Sequence, residues 1–357
     1  MTGIERISRQ LKRQSVDRIG VAEEFWGQTL SRWAAEGKIK EGESPCDHFD
    51  LDLESFWAFN YMIHPEAKEQ VLEEDEDTKL VLNGNHARLR VHKKHASTPE
   101  HVGFAIVNRD DWETLARPFV TPDRKRINFQ GYRERKAACA ARNRFFCWSG
   151  VPVFECIHPI CGHENLLMGM ALDPEWITAM AELYADLNIQ LMEILFAEEG
   201  RPDGIWFYED MGFKEHSFMS PEMYRELIQP YHRKLIDFVH GLGLPVVMHS
   251  CGFVEALLPG MVEAGIDCLE AMEVKAGMDL LRIHRNFGDR ISLMGGLDIR
   301  PVGSNDRDGI RRELESKIPF VKQNSGFIFH SDHSIPESTE YETYRYFLDV
   351  GSELGRY

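Results

Sequence analysis

The sequence has no excess of basic residues. Its 41 lysines and arginines face 58 aspartates and glutamates, a formal charge of −17. A nucleic-acid partner requires a positive footprint, so the balance argues against that class. It leaves an anionic small-molecule substrate open, because a few local arginines suffice to hold one. No stretch approaches the ~18 apolar residues of a membrane span. The opening MTGIERISRQLKRQ is charged but lacks the apolar segment of a secretory signal. Cysteine is sparse: the 7 thiols, at 46, 139, 147, 156, 161, 251 and 268, follow no framework spacing. They fit reduced thiols in a cytoplasm rather than a disulfide scaffold. Phosphate-cradling G-x-x-x-x-G-K-[ST] and G-x-G-x-x-G are absent, as is the G-x-S-x-G elbow, so nucleotide-dependent chemistry and serine hydrolysis lose most of their ground. Repeats and low-complexity tracts are missing too.

What is present is an ordinary globular composition, 43% hydrophobic and 28% charged over 357 residues, with a strong rhythm in the second half. Short apolar runs at 204–208, 246–249, 267–272, 291–294 and 326–329 alternate with helical patterns at 221–239, 254–264, 279–286, 308–321 and 340–354. Ser220 and Asp173 are suited to cap helices, with Pro221 and Pro174 just inside them, and Pro230 is expected to kink or split its helix. Runs at 151–156 and 19–25 add two further strand candidates, and 173–199 reads as a long helix. Strands alternating with helices predict a parallel sheet covered by helices. Seven such units fall one short of a (β/α)8 TIM barrel, the eighth being hard to place between 50 and 110. Residues about 80–130 are more polar, and Leu89-Arg90-Val91-His92 alternates as an antiparallel hairpin would. That region is expected to be an insertion or N-terminal decoration on a single domain spanning 1–357.

Each apolar run ends in polar residues: Glu209 and Asp210; His249 and Cys251; Glu273; Asp298; His330, Asp332 and His333. In a barrel these ends form one functional mouth. Polar residues at strand ends are commonplace, because strands stop where the chain meets solvent. Histidine, cysteine and carboxylate together, however, make up the zinc ligand set, and a catalytic zinc takes three protein ligands and keeps a position open. His249-x-Cys251 offers two ligands. His333 or Cys268 offers a nitrogen or a sulfur, and Asp210 or Glu209 an oxygen. Glu273 and Asp298 are expected to line the mouth without ligating metal, with His330 and Asp332 as further substrate contacts. The C-x-H-x-x-C-x-H run from Cys156 to His163 lacks the C-x2-C spacing of a structural zinc site, and Cys139 and Cys147 read as ordinary residues.

The stretches DGIWFYEDMGFKEHSFMSPEMYRELIQPYHRKLID, MHSCGFVEALLPGMVEAGIDCLEAMEVKAGMD and GDRISLMGGLD resemble the uroporphyrinogen decarboxylase superfamily over roughly residues 140–357. Weaker likeness lies in VDRIGVAEEFWGQTLSRWAAEGK and HFDLD. The resemblance implies a (β/α)8 barrel with its site at the C-terminal mouth. Its decarboxylases carry an R-Q-A-G-R-Y segment that holds substrate carboxylates; here only Arg9, Arg13 and Arg18 occupy the corresponding region. Its methyltransferases move a methyl group between a corrinoid protein and a thiol, using zinc held by H-x-C, a later cysteine and a nearby acid. His249-x-Cys251 matches that pattern, while SDHSIP places His333 where those enzymes have the cysteine. The resemblance therefore implies zinc-dependent methyl transfer, with His249, Cys251, His333 and Asp210 around the metal and Asp210, Glu209 or His333 available for catalysis. The partners would be a methylcorrinoid protein and a small-molecule acceptor, with a homodimer among the assemblies to be expected. The alternative is cofactor-free decarboxylation, with a histidine or carboxylic acid protonating carbon.

Overall fold

The computed structural model describes residues 1–94 and 98–357. In chain order its strands are β1 (Leu53–Trp57), β2 (Gln70–Glu74), β3 (Thr78–Leu82), β4 (Ala87–His92), β5 (Glu100–Phe104), β6 (Phe145–Gly150), β7 (Gly204–Tyr208), β8 (Gly212–Phe213), β9 (His216–Ser217), β10 (Val246–Ser250), β11 (Cys268–Ala271), β12 (Ser292–Met294) and β13 (Phe327–Ile328). Seven form one curled sheet in the order β1-β6-β7-β10-β11-β12-β13, and every neighbouring pair is parallel. Long helices at Phe154–Leu172, Pro174–Glu199, Gln229–Gly241, Arg307–Val321 and Tyr341–Leu354 connect or follow the strands. The architecture is therefore mixed α/β with a parallel core sheet, as the alternating pattern requires.

The strand expected at 151–156 lies earlier, at Phe145–Gly150, and Phe154 already opens a helix. Phe145 to Gly150 is buried at every position, whereas Pro152 cannot donate to a sheet ladder. β1 is the strand hard to place from sequence. Glu54 hides it, because that carboxylate leaves the apolar pattern to pair with Arg144 at 2.7 Å and with Arg135. Residues 19–22 form no regular strand, but they lie between β13 and β1: Val21 bridges Phe329 in parallel, Ala22 N–H donates to Phe329 O at 2.9 Å and Asp52 N–H to Val21 O at 2.8 Å.

Alternation along the strands divides the core. Ala22, Leu53, Cys147, Trp206, Val247, Cys268, Met294 and Ile328 point to one side and pack with Ile7 and Leu11 of the N-terminal segment. The opposite side packs against the helices. The helix Gly3–Gln10 meets the N-terminal ends of the strands: Ile4 N–H donates to Asn143 O at 3.0 Å, and Gly20 N–H donates to the Gln10 side chain at 2.8 Å. The C-terminal ends, opposite, remain for loops. The polar region after β1 is a four-stranded sheet, β2-β3-β4-β5, antiparallel throughout, so the alternation at Leu89–His92 is realised in β4. Helices at Arg109–Leu115 and Phe129–Ala141 come after it.

Two helices differ from expectation at their starts. The one expected from Val254 begins at Leu258, with Pro259 in its first turn. Ahead of Pro230 the chain widens into a π-turn at Tyr224–Ile228 before Gln229–Gly241 continues. A ring nitrogen without a proton removes one backbone bond, and a π-turn re-registers the ladder around the gap.

Candidate functional site

β7 and β10 run side by side, Tyr208 opposite His249, so the loops leaving the two strands converge. Asp210, His249 and Cys251 bring one donor atom apiece to within 4.8 Å of one another. His249 Nε2 lies 3.1 Å from Asp210 Oδ1 and 3.3 Å from Cys251 Sγ. Asp210 Oδ1 also accepts the Cys251 N–H at 2.8 Å, tying the two loops together. Gly212 and Gly252 allow this approach: a Cβ on Gly252, whose φ is +73°, would stand 2.4 Å from the Gly212 backbone.

The other ring nitrogen, His249 Nδ1, meets Glu270 Oε2 at 2.5 Å. Glu270 is inward-facing on β11 and buried, and it fixes which imidazole nitrogen is offered to Asp210 and Cys251. Burial works against the imidazolium, but the charges of Glu270, Cys251 and Asp210 outweigh it and hold His249 well above its ordinary range. Burial likewise opposes ionisation of Asp210, and the charge and hydrogen bond of His249 keep its carboxyl below the usual value. The Cys251 thiol is pushed up by burial, His249 pulling the other way. One nitrogen, one sulfur and one oxygen donor make a set that suits a borderline-soft divalent ion such as zinc.

The remaining residues singled out in the sequence do other things. Glu209 does not share the mouth with Asp210, because alternation turns it to the helix side. It is 0% exposed, accepts the Phe154 and Glu155 N–H groups at 2.7 and 3.0 Å at a helix start, and takes His232 Nε2 at 2.6 Å. These contacts anchor a helix start, and Glu209 is not among the three residues whose donor atoms converge. Cys268 lies a layer deeper, in the apolar interior. His333 is not in the converging group: its Nδ1 is 3.4 Å from Ser334 O and its ring 6.0 Å from that of Trp26. With Glu273, Lys275, Arg300 and Asp332 it borders a cavity of about 430 Å³.

Glu273 accepts the Gly252 N–H at 2.8 Å. Asp332 accepts the N–H groups of Val274 and Ile299 at 2.7 and 2.8 Å, and burial pushes its carboxyl up to about 6. Asp298 caps a helix and pairs with Arg300 at 2.6 Å. Glu273 and Asp332 thus lace neighbouring strand-end loops to one another, while Asp298 serves its own segment. His330 is buried beneath Glu270, Nδ1 to Oε1 at 3.6 Å, with Glu23 on its far side at 3.6 Å. Arg18 is engaged with Asp52 at 2.7 Å and Arg9 with Ser15 O at 2.9 Å. Asp52 precedes β1, so Arg18 sits at the end of the sheet opposite the converging group.

Sequence reasoning missed Glu270, although a carboxylate inside the apolar run CLEA, in step with Cys268, was its signal. It also passed over an aromatic wall. The Tyr208 ring lies 4.8 Å from that of His249 and 4.8 Å from that of Trp57, tilted to both. His158 stacks on His163 at 4.2 Å and His163 in turn on Phe218 at 4.7 Å, and burial pushes both imidazoles down to about 4. Glu155, bound to His158 at 2.9 Å, is pushed well above the carboxylate range by burial and by the charges of Asp210 and Glu209.

A methyltransferase from Methanosarcina mazei has the same fold, with a TM-score of 0.68 over 99% of both chains at 14% identity. Among curated proteins, the methylated-thiol–coenzyme M methyltransferase of Methanosarcina mazei is 29% identical over 140 residues, 39% of this chain and 35% of that one. The uroporphyrinogen decarboxylase of Thermus thermophilus is 29% identical over 143 residues, 38% of each. The chain thus matches little more than a third of the length of either curated relative. A family profile described as uroporphyrinogen decarboxylase (URO-D) matches residues 156–354, more than half of the sequence, and the chain belongs to that family.

Proposed function

We propose that this protein is a zinc-dependent methyltransferase that moves a methyl group from a methylated corrinoid protein to a thiol. The observation that carries the reading is the convergence of His249, Cys251 and Asp210 at adjacent strand ends, supported by the likeness to a methylated-thiol–coenzyme M methyltransferase. In this reading residues 19–22 act as the eighth stave and close a (β/α)8 barrel, one domain with the β2–β5 sheet inserted, so that all the strand ends face one mouth.

Bound zinc would supply Lewis acidity that keeps an acceptor thiol deprotonated near neutral pH. The chain's own residues do the rest. Glu270 orients His249 through Nδ1, and the Cys251 N–H fixes the Asp210 carboxylate. Tyr208 and the His158–His163–Phe218 stack form walls that limit water around the donors. His333 stays outside the ligand set and borders the neighbouring cavity. Asp210, His249 and Cys251 would hold the metal, which would stay open to the acceptor sulfur, and the partner's corrinoid would approach from the mouth. Arg18 is committed to Asp52, which counts against a porphyrinogen held by arginines from the N-terminal segment.

The test is elemental analysis of the purified protein together with methyl transfer from methylcobalamin to a thiol. About one zinc per chain and thiol methylation are expected, with both sharply reduced in Cys251→Ser. Full zinc in that variant, or no metal in the wild type after zinc is supplied, overturns the assignment.

A further inference from the structure

The β2–β5 sheet meets the helix Phe154–Leu172 through rings. Phe104 of β5 packs so closely on Gly162 that a Cβ there would stand 2.4 Å from the Phe104 ring. His101 of β5 lies nearly parallel to His163, 5.9 Å away, and 6.1 Å from His158. Among the described residues, the hydrogen bond from this region to the helix is a long one, Asn85 Nδ2 to Pro159 O at 3.5 Å. The helix itself is broken to build the contact. Side chains five residues apart on a straight helix point about 140° apart, yet His158 and His163 stack at 4.2 Å. Gly162, between them, leaves helical geometry at φ +79° and turns His163 back.

Three imidazoles therefore share one seam, and little charge faces them. Among the described residues, Glu155 is the one acid paired with the three, and it holds His158 alone. Glu209 and Asp210 act on His158 from the loop after β7, and Asp210 acts on His163. The charge that acts on His101 is that of His158. Just past the β8–β9 hairpin the stack meets Phe218, and Lys214 stands one ring further out, over Phe213. Burial lowers His101 as it does the other two imidazoles. His158 and His163 are half-buried, and His101 is exposed at the outer edge, where protons can enter. Neutral rings stack well in such a seam. Protonation places like charges face to face, and a like charge nearby disfavours the charged form.

We propose that the seam of His101, His158 and His163 is an acid-sensitive latch. Neutral, it clasps the β2–β5 sheet to the helix Phe154–Leu172. Protonated, it releases the sheet and uncovers that wall of the site. The latch stands independently of the metal and of the methyl-transfer reading.

Proteinase K digestion of the full chain at pH 7.5 and 4.5 tests this, with rates normalised to unfolded casein and fragments read by mass spectrometry. An imidazole held at about 4 in the closed seam and returning to its ordinary 6.5 in the open one favours opening by roughly 10- to 100-fold at pH 4.5. Cleavage within residues 70–104 should therefore rise at least about 30-fold in acid, while β6 to β13 stay uncut. His163→Phe keeps a ring in the stack and cannot take the proton, so the rise should shrink by at least about fivefold. Equal protection of the sheet at both pH values, barrel strands cut as fast as the sheet, or a folded His163→Phe that responds to acid as the wild type does overturns the proposal. The first two outcomes are read on the wild type and need no variant.

Discussion

Glu270 offers a decisive perturbation because it touches the candidate metal group through one bond only. Its Oε2 lies 2.5 Å from His249 Nδ1, and the carboxylate is buried. Hydrogen bonds to charged partners contribute about 1.5–3 kcal/mol. Loss of the group that orients a ligating imidazole weakens metal binding by roughly 10- to 100-fold, or about 1.4–2.8 kcal/mol, so the two scales agree. Glu270→Gln retains an acceptor at the same place and removes the charge; it should sit near the tenfold end. Glu270→Ala removes both and leaves His249 free to rotate; it should approach 100-fold. Glu273→Gln is the control, since Glu273 meets the Gly252 N–H and not a donor side chain; about threefold or less is expected. Competition against a chromophoric zinc chelator at pH 7.5 reads all four proteins, with thermal melts to confirm folding. If folded Glu270→Ala binds zinc as tightly as the wild type, His249 is not a ligand oriented by Glu270, and the reasoning fails.

Three further outcomes are expected. Glu209→Ala should destabilise the fold by about 3 kcal/mol or more, seen in urea titrations, because it strands His232 and two helix-start N–H groups; a change below about 1 kcal/mol would refute the anchor role. Gly252→Ala should lower zinc affinity by displacing Cys251, since its Cβ would stand 2.4 Å from Gly212; unchanged affinity would mean that the loop pair does not position the thiol. Burial pushes Glu23 up to about 7, and although burial disfavours the charged His330, its carboxylate neighbours Glu23 and Glu270 raise it above its usual value. Both therefore hold protons in the fold that the unfolded chain releases, and stability should fall as pH rises from about 4.5 through 7, by up to about 3 kcal/mol for Glu23. Glu23→Gln should flatten that slope in denaturant melts at pH 5, 6 and 7.5, and an unaltered slope would refute the assignment.

The second half of the fold was legible because its buried parallel strands are continuous apolar runs separated by good caps. Ser220 and Asp173 do accept from Met223 and Trp176 N–H groups. β1 was illegible for the opposite reason: Glu54 satisfies its charge through tertiary partners that no local pattern reveals. At the site, His249, Cys251 and Asp210 could be read from position alone, since each lies at or just past the end of a strand. That position does not say which way a side chain turns. Glu209 and Asp210 are neighbours in sequence and face opposite layers, while His333 and His330 share one segment and end in different surroundings. Glu270 escaped notice because it lies within a strand, where inward orientation matters and proximity to a loop does not.

The pairing of Val21 with Phe329 also bears on how the chain is made. The two edges of the parallel sheet belong to β1 and β13, and the segment lying between them comes from the beginning of the sequence and meets its second neighbour only near the end. During synthesis, a nascent chain that has already ordered β1, β6 and β7 carries exposed edges until residue 329 emerges. Unpaired edges invite pairing with other chains, and such late, non-local contacts fold slowly. Translation that stalls between the helix Arg307–Val321 and β13 should therefore release a product that associates through its sheet edges, one for which chaperone capture matters more than it does for the finished protein.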